Sequence, residues 1–105
     1  LRVVNDQFGQ PTWTKDLAQQ VLAFAELVGA PKIVHAVSSG KTTWFEFAKE
    51  IVGEYPIEPV SSSEFVTPAR RPGYSVLDNS SNLVEPIGDW RERWQLARSD
   101  VLDRN

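Results

Sequence analysis

Four of the seven prolines in this chain, Pro56, Pro59, Pro68 and Pro72, fall within residues 55–74. Proline fixes φ and has no amide proton to donate, so this stretch can hold neither a long helix nor a central strand. Any regular core must therefore come from the segments on either side. Within the stretch only short extended pieces are expected: an edge strand over Ile57 to Val60, and a second piece over Tyr74 to Leu77.

The segments outside it carry clear periodicities. Leu1 to Val4 is a β-like run, stopped by the turn-forming residues between Asn5 and Pro11. Leu17, Val21, Phe24 and Val28 recur at helical spacing and predict a helix with one buried apolar stripe. Thr12 or Thr14 is expected to cap it, Asp16 to favour its positive end, and Gly29 with Pro31 to close it. Lys32 to Val37, with Ile33, Val34 and Val37, predicts a strand. Thr43 and Glu46 have capping-box spacing ahead of a helix whose buried face is expected to be Trp44, Phe47, Ala48 and Ile51, ending at Gly53. Asp89 and Glu92 repeat that spacing before a last helix striped by Trp90, Trp94, Ala97 and Val101. The order is β-loop-α-β-α-irregular-α, an α/β class with short strands and about three helices.

At 105 residues and 41% apolar the chain is expected to be one domain, residues 1–105. The net charge of -3 argues against a protein that coats nucleic-acid phosphates. With no cysteine, disulfides, thiolate catalysis and cysteine-ligated metals are excluded, which is compatible with a reducing compartment. The most apolar stretch, Val21 to Ala30, is interrupted by Glu26 and falls far short of the ~20 residues of a membrane span. The start at Leu1 lacks the apolar core of a signal peptide and reads like the interior of a longer protein.

Several motifs suggest chemistry and most fail on spacing. His35-Ala36-Val37-Ser38-Ser39-Gly40-Lys41-Thr42 ends like a phosphate loop, but His35 stands where the first glycine must be. The plainer reading is a strand–loop–helix junction with Lys41 facing solvent. The six glycines are nowhere closer than Gly29 and Gly40, 11 residues apart, so a dinucleotide G-x-G-x-x-G loop cannot be written. His35 is the sole histidine, which disfavours zinc. Asp16, Glu46, Asp89 and Glu92 all have capping or dipole roles. Asn79-Ser80-Ser81 matches a glycosylation signal by chance. Arg70 and Arg71, held between Pro68 and Pro72, have two readings: adjacent guanidiniums on a stiff loop that grip a diphosphate or carboxylate bidentately, or an exposed basic pair making surface contacts. Trp13 is the tryptophan placed to line a ligand cleft.

Three ordered blocks together resemble one family. Asn5-Asp6-Gln7-Phe8-Gly9-Gln10-Pro11-Thr12 with Asp16-Leu17-Ala18, then His35, Gly40 and Thr43-Trp44-Phe45-Glu46-Phe47-Ala48, then Ala69-Arg70-Arg71-Pro72-Gly73-Tyr74-Ser75-Val76-Leu77-Asp78, resemble segments of the dTDP-4-dehydrorhamnose reductases. The resemblance implies an extended short-chain dehydrogenase that uses NADPH to reduce the 4-keto group of a dTDP-sugar, giving dTDP-L-rhamnose for polysaccharide, in the cytoplasm. It also implies that this chain is the substrate-binding lobe. The cofactor would lie on an N-terminal Rossmann half, and the catalytic Tyr-x-x-x-Lys is missing: Tyr55 and Tyr74 are followed four positions on by Pro59 and Asp78. Arg71 is expected at the diphosphate, with Gln7, Gly9, Thr12 and Tyr74 as further substrate-binding positions. No catalytic, cofactor or metal residue is assigned to the chain itself. Its expected partners are the dTDP-sugar and the Rossmann half, and its bare inter-lobe face would favour a homo-oligomer; nucleic acid and membrane are not among them. The alternatives are another nucleotide-sugar reductase or epimerase, or a non-catalytic reductase-like regulatory subunit.

Overall fold

A computed structural model describes residues 1–29, 32–79 and 83–103. In chain order the elements are β1 (Arg2–Val4), β2 (Phe8–Gly9), α1 (Thr14–Ala25), β3 (Thr42–Thr43), α2 (Trp44–Val52), β4 (Glu58–Val60), a 3-10 turn (Ser62–Glu64) and α3 (Trp90–Leu102). They fall into two compact units, each discontinuous in sequence: Leu1–Gly9 with Lys41–Val76, and Gln10–Gly40 with Leu77–Asn105. The small α/β character and the three helices follow the sequence expectation among the described residues.

In the first unit β1 and β4 pair in parallel, with Arg2 opposite Glu58, Val3 opposite Pro59 and Val4 opposite Val60. Parallel strands need a crossover, and α2, which precedes β4 and packs on β1, provides it. Val4, Val60 and Phe45 are buried there. Each stabilises the unit by ~1.5–3 kcal/mol through lost apolar exposure. Thr43 caps α2, its hydroxyl accepting from the Glu46 amide at 3.2 Å and donating to Asn5 Oδ1 at 2.6 Å. Gly53, at φ +62°, ends it as expected.

The buried face of α2 differs from the sequence reading. Phe45 is buried, whereas Trp44 is 61% exposed. Thr43 belongs both to β3 and to the cap, so the strand sets the rotation of the helix and turns Phe45 inward.

The second unit departs further. Neither Thr12 nor Thr14 caps α1: Trp13 is its N-cap residue, with no side-chain bond, and the Thr12 hydroxyl donates to Gln10 O instead. The helix ends at Ala25, before Gly29, which lies at φ +77°; Pro31 is outside the described residues. The buried residues of α1 are polar, Asp16 and Gln20. Asp16 accepts two hydrogen bonds from Arg93, from Nε at 2.9 Å and Nη2 at 2.8 Å. Gln20 Nε2 donates to Glu85 O. Of the expected apolar stripe only Phe24 is half-buried; Leu17, Val21 and Val28 are exposed, Val21 at 56%, and their neighbour Leu22 is 67% exposed. At 100° per residue, Leu17, Ala18, Val21, Leu22 and Ala25 span an open arc of roughly 140°.

Lys32 to Val37 is not a strand. No backbone–backbone bond involves Ile33 to Val37 among the described residues, and the Val37 carbonyl accepts from Asn79 Nδ2 at 3.0 Å instead, although Ile33 and His35 are exposed with Val34 half-buried between them, the alternation of a strand. Ser38 is fully buried, donating its hydroxyl to Pro11 O and its amide to Thr12 Oγ1. In α3, Asp89 caps the amides of Arg91 and Glu92, and Trp90, Trp94 and Ala97 are buried; Val101 is exposed, contrary to expectation.

Removing the charge of Asp16 leaves Arg93 without its buried acceptor. Asp16→Asn is expected to destabilise the chain by about 2 kcal/mol, below the value for a fully buried pair because Arg93 is partly exposed. Urea unfolding, read as a shifted midpoint at constant slope, measures it.

Candidate functional site

The site is built on β2. Phe8 pairs with Thr43 on one side, antiparallel, and bridges to Tyr74 on the other, parallel. The Phe8 amide donates to Gly73 O at 2.9 Å, and Ser75 donates to Phe8 O from both its amide, 2.9 Å, and its hydroxyl, 3.0 Å. Neighbouring strands place side chains of paired residues on one face. The Phe8 and Tyr74 rings accordingly meet, with centroids 6.4 Å apart at a 41° tilt. Lys41, just before β3, sets its ammonium 5.6 Å from the Phe8 ring and 5.5 Å from that of Tyr74. All three side chains are exposed.

The turn entering β2 is clamped. Asp6 accepts from the Ser62 amide at 3.0 Å and also from the Ser62 hydroxyl. Gln7 Nε2 donates to the same Ser62 oxygen at 3.1 Å. These bonds, the side-chain one first, hold the Asp6 carboxyl below its ordinary pKa. The Asn5 amide reaches Val60 O at 2.8 Å, so the end of β4 and the 3-10 turn together fix the approach to Phe8.

The loop leading to Tyr74 carries the arginines. Its Thr67 hydroxyl donates to Ala69 O at 2.6 Å, and Gly73 O is held by the Phe8 amide. Between these anchors Arg70 and Arg71 are exposed and, among the described residues, have no ion-pair or hydrogen-bond partner. Arg2 and Arg93, by contrast, sit on Glu64 and Asp16.

Of the positions singled out in the sequence, Gln7, Gly9, Arg71 and Tyr74 belong to this unit. Gln7 holds the turn, and Tyr74 lies on the β2 patch. Gly9 pairs with Thr42, and a Cβ there would meet Ser75 Oγ at 3.6 Å, ordinary contact. Thr12 belongs to the other unit, where its hydroxyl is engaged with Gln10 and Ser38. Trp13 is half-buried with the Lys15 ammonium 5.3 Å from its ring. Phe8, Asp6 and Ser62 were not assigned roles from sequence. Only strand pairing reveals Phe8, and Ser62 meets Asp6 across 56 positions of chain.

The phosphate-loop reading of Gly40-Lys41-Thr42 fails on geometry as well as on spacing. The Ser39 amide donates to Gly88 O and the Ser38 amide to Thr12 Oγ1, so two of the loop amides ahead of Gly40 are already engaged. A Cβ on Gly40 would lie 3.0 Å from Asp89 Oδ1, placing a carboxylate where an anion would have to sit. The junction at Gly40 is therefore not a standard phosphate loop, and the sequence holds no G-x-G-x-x-G spacing elsewhere. His35 is tied by Nδ1 to Asp78 O at 2.9 Å, and no three His, Cys, Asp or Glu side chains gather among the described residues. Among the described residues no helix is long and apolar enough to cross a membrane.

The described residues form a small α/β chain with an exposed lysine over two exposed rings and two exposed arginines on the loop that leads to them. The chain belongs to the RmlD substrate binding domain family, whose model matches residues 1–105. Among curated relatives, a dTDP-4-dehydrorhamnose reductase of Streptomyces griseus is 46% identical over 101 residues, which are 85% of this chain and 33% of that protein. A probable dTDP-4,6-dihydroxy-2-methyloxan-3-one 4-ketoreductase of Streptomyces antibioticus is 37% identical, over 95% of this chain and 37% of that one. Among solved structures, the dTDP-4-dehydrorhamnose reductase of Bacillus anthracis in complex with NADP superposes with a TM-score of 0.84 at 30% identity, covering 91% of this chain and 36% of that one. The chain thus spans about a third of the length of the proteins it resembles.

The clamp on the turn gives a pH prediction. A depressed carboxyl pKa stabilises the fold above the ordinary carboxylate range, and the contribution is lost as pH falls through the depressed value. In Ser62→Ala the Asp6 carboxyl should titrate nearer its ordinary pKa than in the unaltered chain, as read from the side-chain carboxyl resonance by NMR.

Proposed function

We propose that this chain is the substrate-binding portion of an NADPH-dependent dTDP-4-dehydrorhamnose reductase, and that it grips the diphosphate of the dTDP-sugar. The observation that carries the reading is Arg71: an unpaired guanidinium on a loop stiffened by Pro68 and Pro72, three residues before the aromatic patch. Guanidinium forks match phosphate oxygens bidentately, and each charge-assisted bond contributes ~1.5–3 kcal/mol. Tyr74 borders the same site, and Gln7, Gly9 and Thr12 are proposed to shape the loops around the nucleotide.

The names of the relatives share a dTDP-linked sugar reduced at a 4-keto group and differ in the rest of the sugar. This agrees with a portion that reads the nucleotide diphosphate while the sugar is read elsewhere. NADPH, with the tyrosine and lysine of proton transfer, is assigned to the remainder of the longer protein, since this chain has neither the loop nor the Tyr-x-x-x-Lys spacing. The same remainder is proposed to cover the open arc of α1 and to pair with Ile33 to Val37. Both are features an isolated domain does not ordinarily leave uncovered.

In the full-length reductase, Arg71→Ala should weaken dTDP-sugar binding by about 2 kcal/mol, roughly thirtyfold, seen by calorimetry and as a raised KM. Unchanged affinity removes the assignment. Without the remainder, the 105-residue chain is expected to self-associate through the α1 face. Sedimentation velocity over a hundredfold range of concentration, ~1–100 μM, tests this, and a monomer throughout contradicts it.

A further inference from the structure

Lys41 stands in the sequence as the lysine of a failed phosphate loop, and nothing in that motif gives it a task. Its surroundings do. Its ammonium is 5.6 Å from the Phe8 centroid and 5.5 Å from the Tyr74 centroid. No carboxylate pairs with it among the described residues. A lysine side chain on a surface ordinarily samples many rotamers, at a cost of up to ~2 kcal/mol to fix. Two ring faces, each attracting an exposed cation by ~0.5–1 kcal/mol, offset much of that cost. The ammonium is thereby stationed without being neutralised, since aromatic faces carry no net charge. Every hydrogen-bond donor on it remains available to a ligand.

The position also fits the proposed site. Arg71 precedes Tyr74 by three residues, so their Cα atoms are at most ~11 Å apart. Arginine and lysine side chains reaching from those two places can converge on the two phosphates of one diphosphate. A divided arrangement suits that group: the flat guanidinium takes paired oxygens on one phosphate, and the compact ammonium takes a single oxygen on the other.

We propose that Lys41 is a second diphosphate-binding residue, and that Phe8 and Tyr74 are positioning residues that hold its ammonium over the β2 patch. The proposal rests on the reading of this unit as the nucleotide-sugar site. It adds a cation that the Gly-Lys-Thr spacing suggests for a different reason, and it gives Phe8 a role.

The test uses the full-length reductase with dTDP and with thymidine as probes, followed by calorimetry. Lys41→Gln should lower dTDP affinity about tenfold and leave thymidine affinity unchanged; Lys41→Arg should restore most of the loss. Added salt should weaken dTDP binding less steeply in Lys41→Gln than in the unaltered enzyme, because one screened charge contact is gone. Tyr74→Leu and Phe8→Leu keep apolar bulk but lose the π face, and each should reproduce part of the dTDP loss with Lys41 intact. If Lys41→Gln binds dTDP as the unaltered enzyme does while Arg71→Ala does not, the proposal is overturned and the Arg71 site stands. If neither variant changes dTDP affinity, both fall. Should thymidine affinity drop in parallel with dTDP, the substitution disturbs the fold of the site rather than a phosphate contact, and Lys41 is not the residue proposed.

Discussion

The two-point bond from Arg93 to Asp16 decides how the second unit is built. A carboxylate in the first turn of a helix is ordinarily a solvent-facing neighbour of the dipole. Here it is buried at 5% exposure and satisfied from α3. An ionised group so placed must keep its partner, because an unpaired buried charge costs several kcal/mol. The rotation of α1 is therefore set by Asp16, with Gln20 one turn later confirming it through Glu85 O. Everything on the other side of the helix, Leu17, Val21 and Leu22 included, is turned outward as a consequence. Polar contacts specify this orientation, and apolar burial does not.

That also explains which parts of the fold could be read from the sequence. Signals carried by neighbouring residues were legible: the caps at Thr43 and Asp89, the stop at Gly53, the short strand around Pro59, and the Trp90–Trp94–Ala97 face. Signals that depend on distant partners were not. Helical spacing finds the apolar stripe of α1 but cannot say which side meets the core, because the deciding residue lies 77 positions away at Arg93. Strand propensity finds Ile33 to Val37 but cannot supply a pairing edge. The two-residue strands β2 and β3 are too short for any alternation to show.

The candidate site divides along the same line. Arg71 and Tyr74 stand out locally, from composition and the prolines around them. Phe8 is one aromatic inside a turn sequence, and its place in the middle of a patch follows only from pairing with Thr43 and Tyr74. Asp6 and Ser62 are unremarkable apart and tightly bonded together. Their joint effect is to make the approach to β2 rigid. Groups already held in position lose less freedom when a ligand arrives, so more of each contact appears as affinity.

Both units are discontinuous, and this bears on how the polypeptide is made. β1 emerges from the ribosome before its parallel partner β4, which follows more than fifty residues later. In the interval the leading strand has an open edge and an uncovered valine row. Closing so long a segment is slow relative to local helix formation. Nascent chains that stall between Gly40 and Pro59 would expose that edge, making this window the natural point for chaperone engagement or for aggregation during translation.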